Sequence, residues 1–168
     1  MDIKTLQKIS YGMYVISSKK GEKFNGQIAN TVFQVTSEPP EIAVSMCKQN
    51  LTHEFVNESR FFTVSILSKE TPMQFIGRFG FKCGRDFNKF EDISYKVGIT
   101  GAPIVLENSM GYLECQVIGS LDVGTHTIFI GKVIDAEIIK EEEPMTYVYY
   151  HENKGGISPK AAPTYIKN

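Results

Sequence analysis

Bulky and small side chains alternate along residues 42–47, with Ile42, Val44 and Met46 interleaved with Ala43, Ser45 and Cys47. A period of two is the mark of a strand, whose successive side chains point to opposite faces. One face is therefore bulky and the other small, and a small face lets a flat ring come close to the backbone. The strand runs into a donor-rich turn, Lys48-Gln49-Asn50-Leu51-Thr52, where Thr52 reads as the N-cap of a helix through His53-Glu54-Phe55-Val56. The free N–H groups and dipole of a helix start attract anions. A planar ring joined to an anion would suit this stretch; an ordinary edge strand followed by a capped helix fits the same pattern.

The rest of the chain reads as mainly β. A short amphipathic helix is expected over 3–9, a strand over Tyr11–Ser18 and a turn at Lys19–Glu22. A second strand over Ile28–Val35 ends at Ser37-Glu38-Pro39-Pro40, because proline donates no ladder hydrogen bond. The helix begun at Thr52 runs to Ser59, and Phe61–Leu67 is a strand. A short helix opens at Thr71-Pro72, with proline at its first position, and ends near Gly77–Gly80. Beyond Gly101-Ala102-Pro103 comes a long hairpin, Met110–Leu121 and His126–Ile139, turning at Asp122–Thr125. The Gly- and Pro-containing segment from His151 to Tyr165 reads as an extended tail. Long hairpins with little helix predict a β-barrel.

Composition narrows the function. A chain of 168 residues suits one domain, and a domain of that size buries roughly 70% of its unfolded surface without a metal or disulfide. The net charge of −1 argues against nucleic acid or an anionic membrane as a general partner. No apolar run nears the ~20 residues of a membrane span, and the start, MDIKTLQKIS, lacks the apolar core of a signal peptide; a cytoplasmic protein is expected. Cys47, Cys83 and Cys115 are odd in number and widely spaced, which fits buried small hydrophobes better than a disulfide framework. His53, His126 and His151 share no metal-ligand spacing with them, so no metal site is expected. There is no GxGxxG, P-loop or GxSxG motif. With few acids, bases or nucleophiles in suggestive settings, a cofactor that carries the reactivity is the economical reading. The loop Phe81–Phe90 holds Lys82, Arg85 and Lys89 and could meet a phosphate, although solvated surface charge is the ordinary state of such residues.

Several motifs, in order and spacing, carry a resemblance: Asn25-Gly-Gln-Ile-Ala-Asn-Thr31, Ser37-Glu-Pro-Pro40, Lys48-Gln-Asn-Leu-Thr52, Phe79-Gly-Phe-Lys-Cys-Gly-Arg-Asp-Phe-Asn-Lys-Phe90 and Gly124-Thr-His126. Together they resemble the flavin reductase-like family of FMN-binding split barrels, in particular its flavoredoxin and high-molecular-weight rubredoxin branch. The segment Gly155–Tyr165 is similar to the one that leads into a rubredoxin domain in fused relatives.

The resemblance implies a six-stranded Greek-key split barrel with a few flanking helices over 1–150, and a tail over 151–168 that packs on the barrel or a dimer partner. It implies a homodimer with one FMN per subunit. Ala29, Asn30 and Thr31, with Ser45, Met46 and Cys47, would lie beside the isoalloxazine, offering backbone N–H and C=O groups. Asn50, Thr52 and His53 would receive the phosphate, helped by Lys82 and Cys83. His126 matches the histidine of the family's Gly-Asp-His motif, linked there to nicotinamide approach, but Thr125 replaces the aspartate; a structural strand-end histidine fits as well. The functions expected are an NAD(P)H-dependent flavin or acceptor oxidoreductase using NADH or NADPH, or a carrier reduced by a rubredoxin- or ferredoxin-type partner. A barrel binding module without flavin is a third reading.

Overall fold

A computed structural model describes residues 1–165. The first hairpin joins β1 (Tyr14–Lys20) and β2 (Lys23–Ala29) through Gly21, whose φ of 57° is the left-handed conformation glycine adopts without cost. After Asn30-Thr31 come β3 (Val32–Ser37), β4 (Pro40–Cys47), α1 (Leu51–Ser59), β5 (Phe61–Leu67) and α2 (Met73–Gly80). The short pair β6 (Tyr95–Val97) and β7 (Pro103–Val105) precedes the long hairpin of β8 (Ser109–Asp122) and β9 (His126–Ile138), and α3 (Tyr147–Glu152) follows. The main sheet has seven strands in the order β2-β1-β5-β8-β9-β4-β3, antiparallel throughout.

This order places β2 and β3 at opposite edges, yet only Asn30 and Thr31 separate them in sequence. A link that short reaches about 10 Å, so the two edges must meet and the sheet must curl into a barrel. The β3–β4 ladder runs one residue back into this link, the Ser45 N–H donating to the Thr31 carbonyl at 3.1 Å. The strand expected over Ile28–Val35 is thus two strands that serve two edges, which is why the sheet counts seven rather than six.

The bulky face of β4 turns inward. Ile42, Val44 and Met46 pack with Ile16, Phe62, Val64, Cys115 and Phe129 in the barrel core. Gly131 of β9 pairs with Ile42 and leaves room for the Phe62 ring: a Cβ there would lie 2.6 Å from Phe62 Cζ and 2.9 Å from Cys115 Cβ. A second cluster, with Val15, Leu67, Phe75, Ile76, Phe79 and Phe90, binds α2 to the outside of the β1 side. The excursion between α2 and β8 is pinned by the buried Glu114 carboxylate, which accepts the N–H groups of Ile99 and Thr100 at 3.1 and 2.7 Å, and the Thr100 hydroxyl.

Several expected elements differ. The N-terminal segment is a 3-10 helix over Ile3–Lys8 that buries nothing; Ile3, Leu6 and Ile9 are exposed. Pro72 is the N-cap of α2 rather than its first residue. The three-residue strands β6 and β7 are too short to show a period. Within the presumed irregular C-terminal stretch, Thr146 caps α3 by accepting from the Tyr149 N–H at 3.2 Å, so His151 and Glu152 are helical and the extended tail begins after them. The last three residues of the expected tail, 166–168, lie outside the described residues. Among those described, no helix is long and apolar enough to cross a membrane.

Gly131→Ala should destabilise the barrel by about 1–3 kcal/mol, the usual penalty for overpacking a dense core. Chemical denaturation of the two proteins measures it; equal midpoints would mean Phe62 can swing aside.

Candidate functional site

Where the sheet edges join, a cavity of about 260 Å³ opens between the seam, the start of α1, the end of α2 and the C-terminal tail. The small face of β4 forms one wall with Ser45 and Cys47, and Ala29 and Asn30 form another at the end of β2. Asn50 and Thr52 border it from α1, and Lys82 and Cys83 from the loop after α2. The alternation of β4 explains this wall: the residues between the core-facing Ile42, Val44 and Met46 must be small for a cavity to remain.

The remaining expected residues stand elsewhere. Met46 is fully buried in the barrel core, so only its backbone is near the site. Thr31 commits its carbonyl to Ser45 and its hydroxyl to Asn30 Oδ1 at 3.0 Å. His53 pairs through Nε2 with Thr127 Oγ1 at 2.8 Å and lies against the Phe129 ring. Burial first, then the charges of Lys48 and His126, hold its pKa below the usual histidine value.

Thr52 is not the helix cap. Asn50, extended at ψ 137°, occupies that position, so the helix starts one residue before Thr52. Thr52 sits in the first turn, and its Oγ1 accepts from the buried Asn25 Nδ2 at 2.8 Å. Leu51 and Thr52 both line the cavity, and N–H groups at the first positions of a helix have no partner within it.

The basic loop divides. Lys82 is exposed with its Nζ 3.9 Å from the centre of the Phe87 ring, and Arg85 reaches Glu54 at 3.4 Å. Lys89, expected in solvent, is only 5% exposed and lines the cavity. Its ammonium donates to the carbonyls of Gly26 at 2.9 Å and Phe79 at 3.1 Å, and burial lowers its pKa to about 8. Among the described residues no carboxylate pairs with it.

Two further wall residues, Asn25 and Gln27 of β2, were not singled out from sequence. The signal was there: Asn25, Gln27 and Ala29 share one face of a strand, two of them polar. Gln27 Oε1 is buried without a hydrogen-bond partner, and such an atom is costly unless something else pairs with it.

His126 does not line the cavity but reaches its roof. In the neutral ring its Nε2–H donates to the Ala161 carbonyl at 3.2 Å while Nδ1 accepts from the Thr125 hydroxyl at 2.8 Å. Its turn is fixed by Gly124, with φ 82°, by the Gly124 N–H donated to Asp122 Oδ1, and by a Lys48–Asp122 ion pair. Ile157, Pro159, Ala161, Ala162 and Pro163 form the roof. Asn30 Nδ2 donates to Thr164 Oγ1 at 2.8 Å, and Tyr150 OH to the Ile157 carbonyl at 3.0 Å, so the tail is tied across the mouth.

Comparison with known proteins matches a flavin reductase-like domain to residues 6–158. The high molecular weight rubredoxin of Moorella thermoacetica is 52% identical over 165 residues, 98% of this chain and 72% of that protein. The ferric-chelate reductase (NAD(P)H) of Archaeoglobus fulgidus is 48% identical over 168 residues, 100% of this chain and 99% of that protein. Among solved structures, flavin reductase HpaC complexed with NADP+ superposes with a TM-score of 0.74 at 26% identity, covering 86% of this chain and 90% of that one.

Thr52→Val keeps the shape of the side chain but strands the buried Asn25 amide, and should cost about 1–3 kcal/mol of stability. Thermal and chemical melts of the protein test this, and an unchanged stability would show that Asn25 finds another acceptor.

Proposed function

The chain belongs to the flavin reductase-like family, and from that premise we propose that it is an FMN-binding, NAD(P)H-dependent oxidoreductase whose cofactor sits in the seam cavity. The observation that carries this reading is the cavity's chemistry: a small-residue wall beside a buried, unpartnered Gln27 oxygen, first-turn N–H groups and a buried cation. These residues fit a planar, polar-edged ring joined to an anion. When bound, the flavin supplies the redox chemistry, taking hydride from NADH or NADPH and releasing electrons to an acceptor.

The chain's own residues bind and orient. Ser45 and Cys47 admit the ring plane, and Asn30 and Gln27 offer polar atoms to its edge or side chain. Asn50, Leu51 and Thr52 present the helix start to the phosphate. Ala29 closes the wall beside the ring, while Thr31 and Met46 act through the backbone alone. Lys82 and Cys83 border the phosphate end, and His53, turned to Thr127, supports α1 rather than the ligand. His126 is the residue for nicotinamide approach; it must exchange the Ala161 carbonyl for substrate to do so.

A homodimer accords with the outer face of the sheet, where the register sets Phe33, Ala43 and Ile130 in one row and Ser45, Ile128 and Leu121 in the next. Phe33 and Leu121 are exposed at 55% and 60%, an apolar strip beside the cavity that suits a second copy. The tail from residue 153 serves as part of the site's cover. A second reading, an electron carrier reduced by a rubredoxin- or ferredoxin-type protein, draws support from Thr125 and the tail, which engage both ring nitrogens of His126.

The protein should purify yellow or take up FMN, and FMN at 100-fold over its dissociation constant should stabilise the fold by about 2.7 kcal/mol. Anaerobic mixing with NADH or NADPH should bleach the flavin rapidly, and His126→Ala should slow bleaching while FMN affinity holds. If a reduced rubredoxin or ferredoxin bleaches it and neither nucleotide does, the carrier reading replaces the reductase. No flavin absorbance and no shift of the melt with excess FMN would remove both.

A further inference from the structure

A second cavity, of about 730 Å³, lies on the other side of the tail, between the N-terminal 3-10 helix and α3. We propose that it binds the electron acceptor, a planar aromatic molecule of the quinone class, which is reduced there while the nicotinamide keeps its own place beside His126. The inference rests on the flavin reading above and deepens it by giving the acceptor a site and a chemical class.

The lining suits such a ring. Tyr11, Tyr147, His151 and Tyr165 supply aromatic walls, and Leu6, Ile9, Val148 and Ile157 an aliphatic rim. All four aliphatic side chains are exposed, and apolar side chains grouped in this way around a concavity mark a place for an apolar ligand. The Tyr147 ring meets Tyr11 edge-on at 6.2 Å between centres and His151 at 4.4 Å, so the rings brace one another and the space stays open. Small-molecule cavities of this volume are mostly apolar, with a few polar groups that set orientation.

Here those groups are Lys8, His151 and Glu152. His151 Nδ1 bonds the Gly156 carbonyl at 2.7 Å, so in the neutral ring Nδ1 carries the proton and Nε2 is an acceptor. Lys8 and Glu152 form no ion pair among the described residues. A quinone carbonyl accepts from the ammonium, and a hydroquinone hydroxyl donates to the imidazole or the carboxylate. Substrate and product both find partners.

The electrons come through the shared wall. Tyr147, Ile157 and Pro163 line both cavities, which are thus one side chain apart. Tyr147 is fixed in that wall: its hydroxyl pairs with Ser158 and accepts from Thr164 at 3.1 Å, and its N–H donates to the Tyr11 carbonyl at 2.8 Å. A quinone in the second cavity gains two electrons and two protons and leaves as the hydroquinone. The two-electron-reduced flavin supplies the electrons, loses two protons and returns to its oxidised form, the protons passing by way of solvent.

The probe is 1,4-naphthoquinone-2-sulfonate, with ferricyanide as a small anionic acceptor that needs no aromatic site. The chain has no tryptophan, so tyrosine emission reads the groove directly. The quinone should quench that emission saturably, whether or not flavin is bound. Flavin-loaded protein, reduced by light and mixed anaerobically with the quinone, should reoxidise at a rate that saturates with quinone concentration. Val148→Glu and Leu6→Glu, both at exposed positions, should each raise the half-saturating concentration tenfold or more. Flavin affinity and the ferricyanide rate should stay within twofold. A reoxidation rate that is linear in quinone and indifferent to both variants overturns the proposal and leaves the flavin reading standing, as does flavin uptake with no saturable quenching. Variants that slow electron transfer to an oxidised rubredoxin but not to the quinone, or that turn a dimer into a monomer at an unchanged quinone rate, give the groove to a protein partner or a second copy instead. If wild type takes up no flavin, the flavin reading falls and the proposal with it.

Discussion

The structure depends on the shortness of one connection. Asn30 and Thr31 must carry the chain from one edge of a seven-stranded sheet to the other, and no flat sheet can satisfy that. Curling brings β2 and β4 together, and with them the polar face of one strand and the small face of the other. The cavity is thus a by-product of closure: it lies where the ladder is interrupted and the backbone of Asn30-Thr31 turns from one pairing to the next.

That location also explains why polar side chains collect there. Elsewhere the barrel satisfies its backbone through the ladder and packs mainly apolar side chains, with Ser17, Ser65 and Ser109 as further buried hydroxyls that lack a partner. At the seam Asn25 and Thr52 satisfy each other, Lys89 takes two backbone carbonyls, and Gln27 is left with an unpaired oxygen. What sets the seam apart is that its polar groups border a cavity, where a ligand can complete the network. Glu114 makes the contrast: its carboxylate is equally buried, but three donors from Ile99 and Thr100 engage both its oxygens and pin a loop.

Much of this was legible in the chain, because it was periodic. Residues 42–47 announced a strand with a small face, and β5 and the β8–β9 hairpin form where β-branched and apolar residues run thick along the chain. The family resemblance placed Ala29, Asn30, Ser45, Cys47, Asn50, Thr52, Lys82 and Cys83 at what is one cavity. What escaped was set by tertiary context. A strand that ends at one edge and resumes at the other looks continuous over Ile28–Val35. Lys89 reads as solvated in a loop with other cations until α2 and β2 are seen to enclose it. The tail, rich in glycine and proline, carries no period at all, so beyond the packing on the barrel that the resemblance implied, its hydrogen bonds to Asn30 and His126 were not legible, and α3 ends inside the stretch read as extended.

The tail divides the labour of the pocket between two kinds of chain. The floor is woven into the barrel, so any change to it disturbs pairing register or core packing. The roof, Ile157 to Pro163, is held to β9 by the His126–Ala161 bond and to α3 by the Tyr150–Ile157 bond, with Thr164 beyond it tied to Asn30. Substitutions there leave pairing register and core packing untouched, so what approaches the pocket from outside can be altered without refolding what is held within.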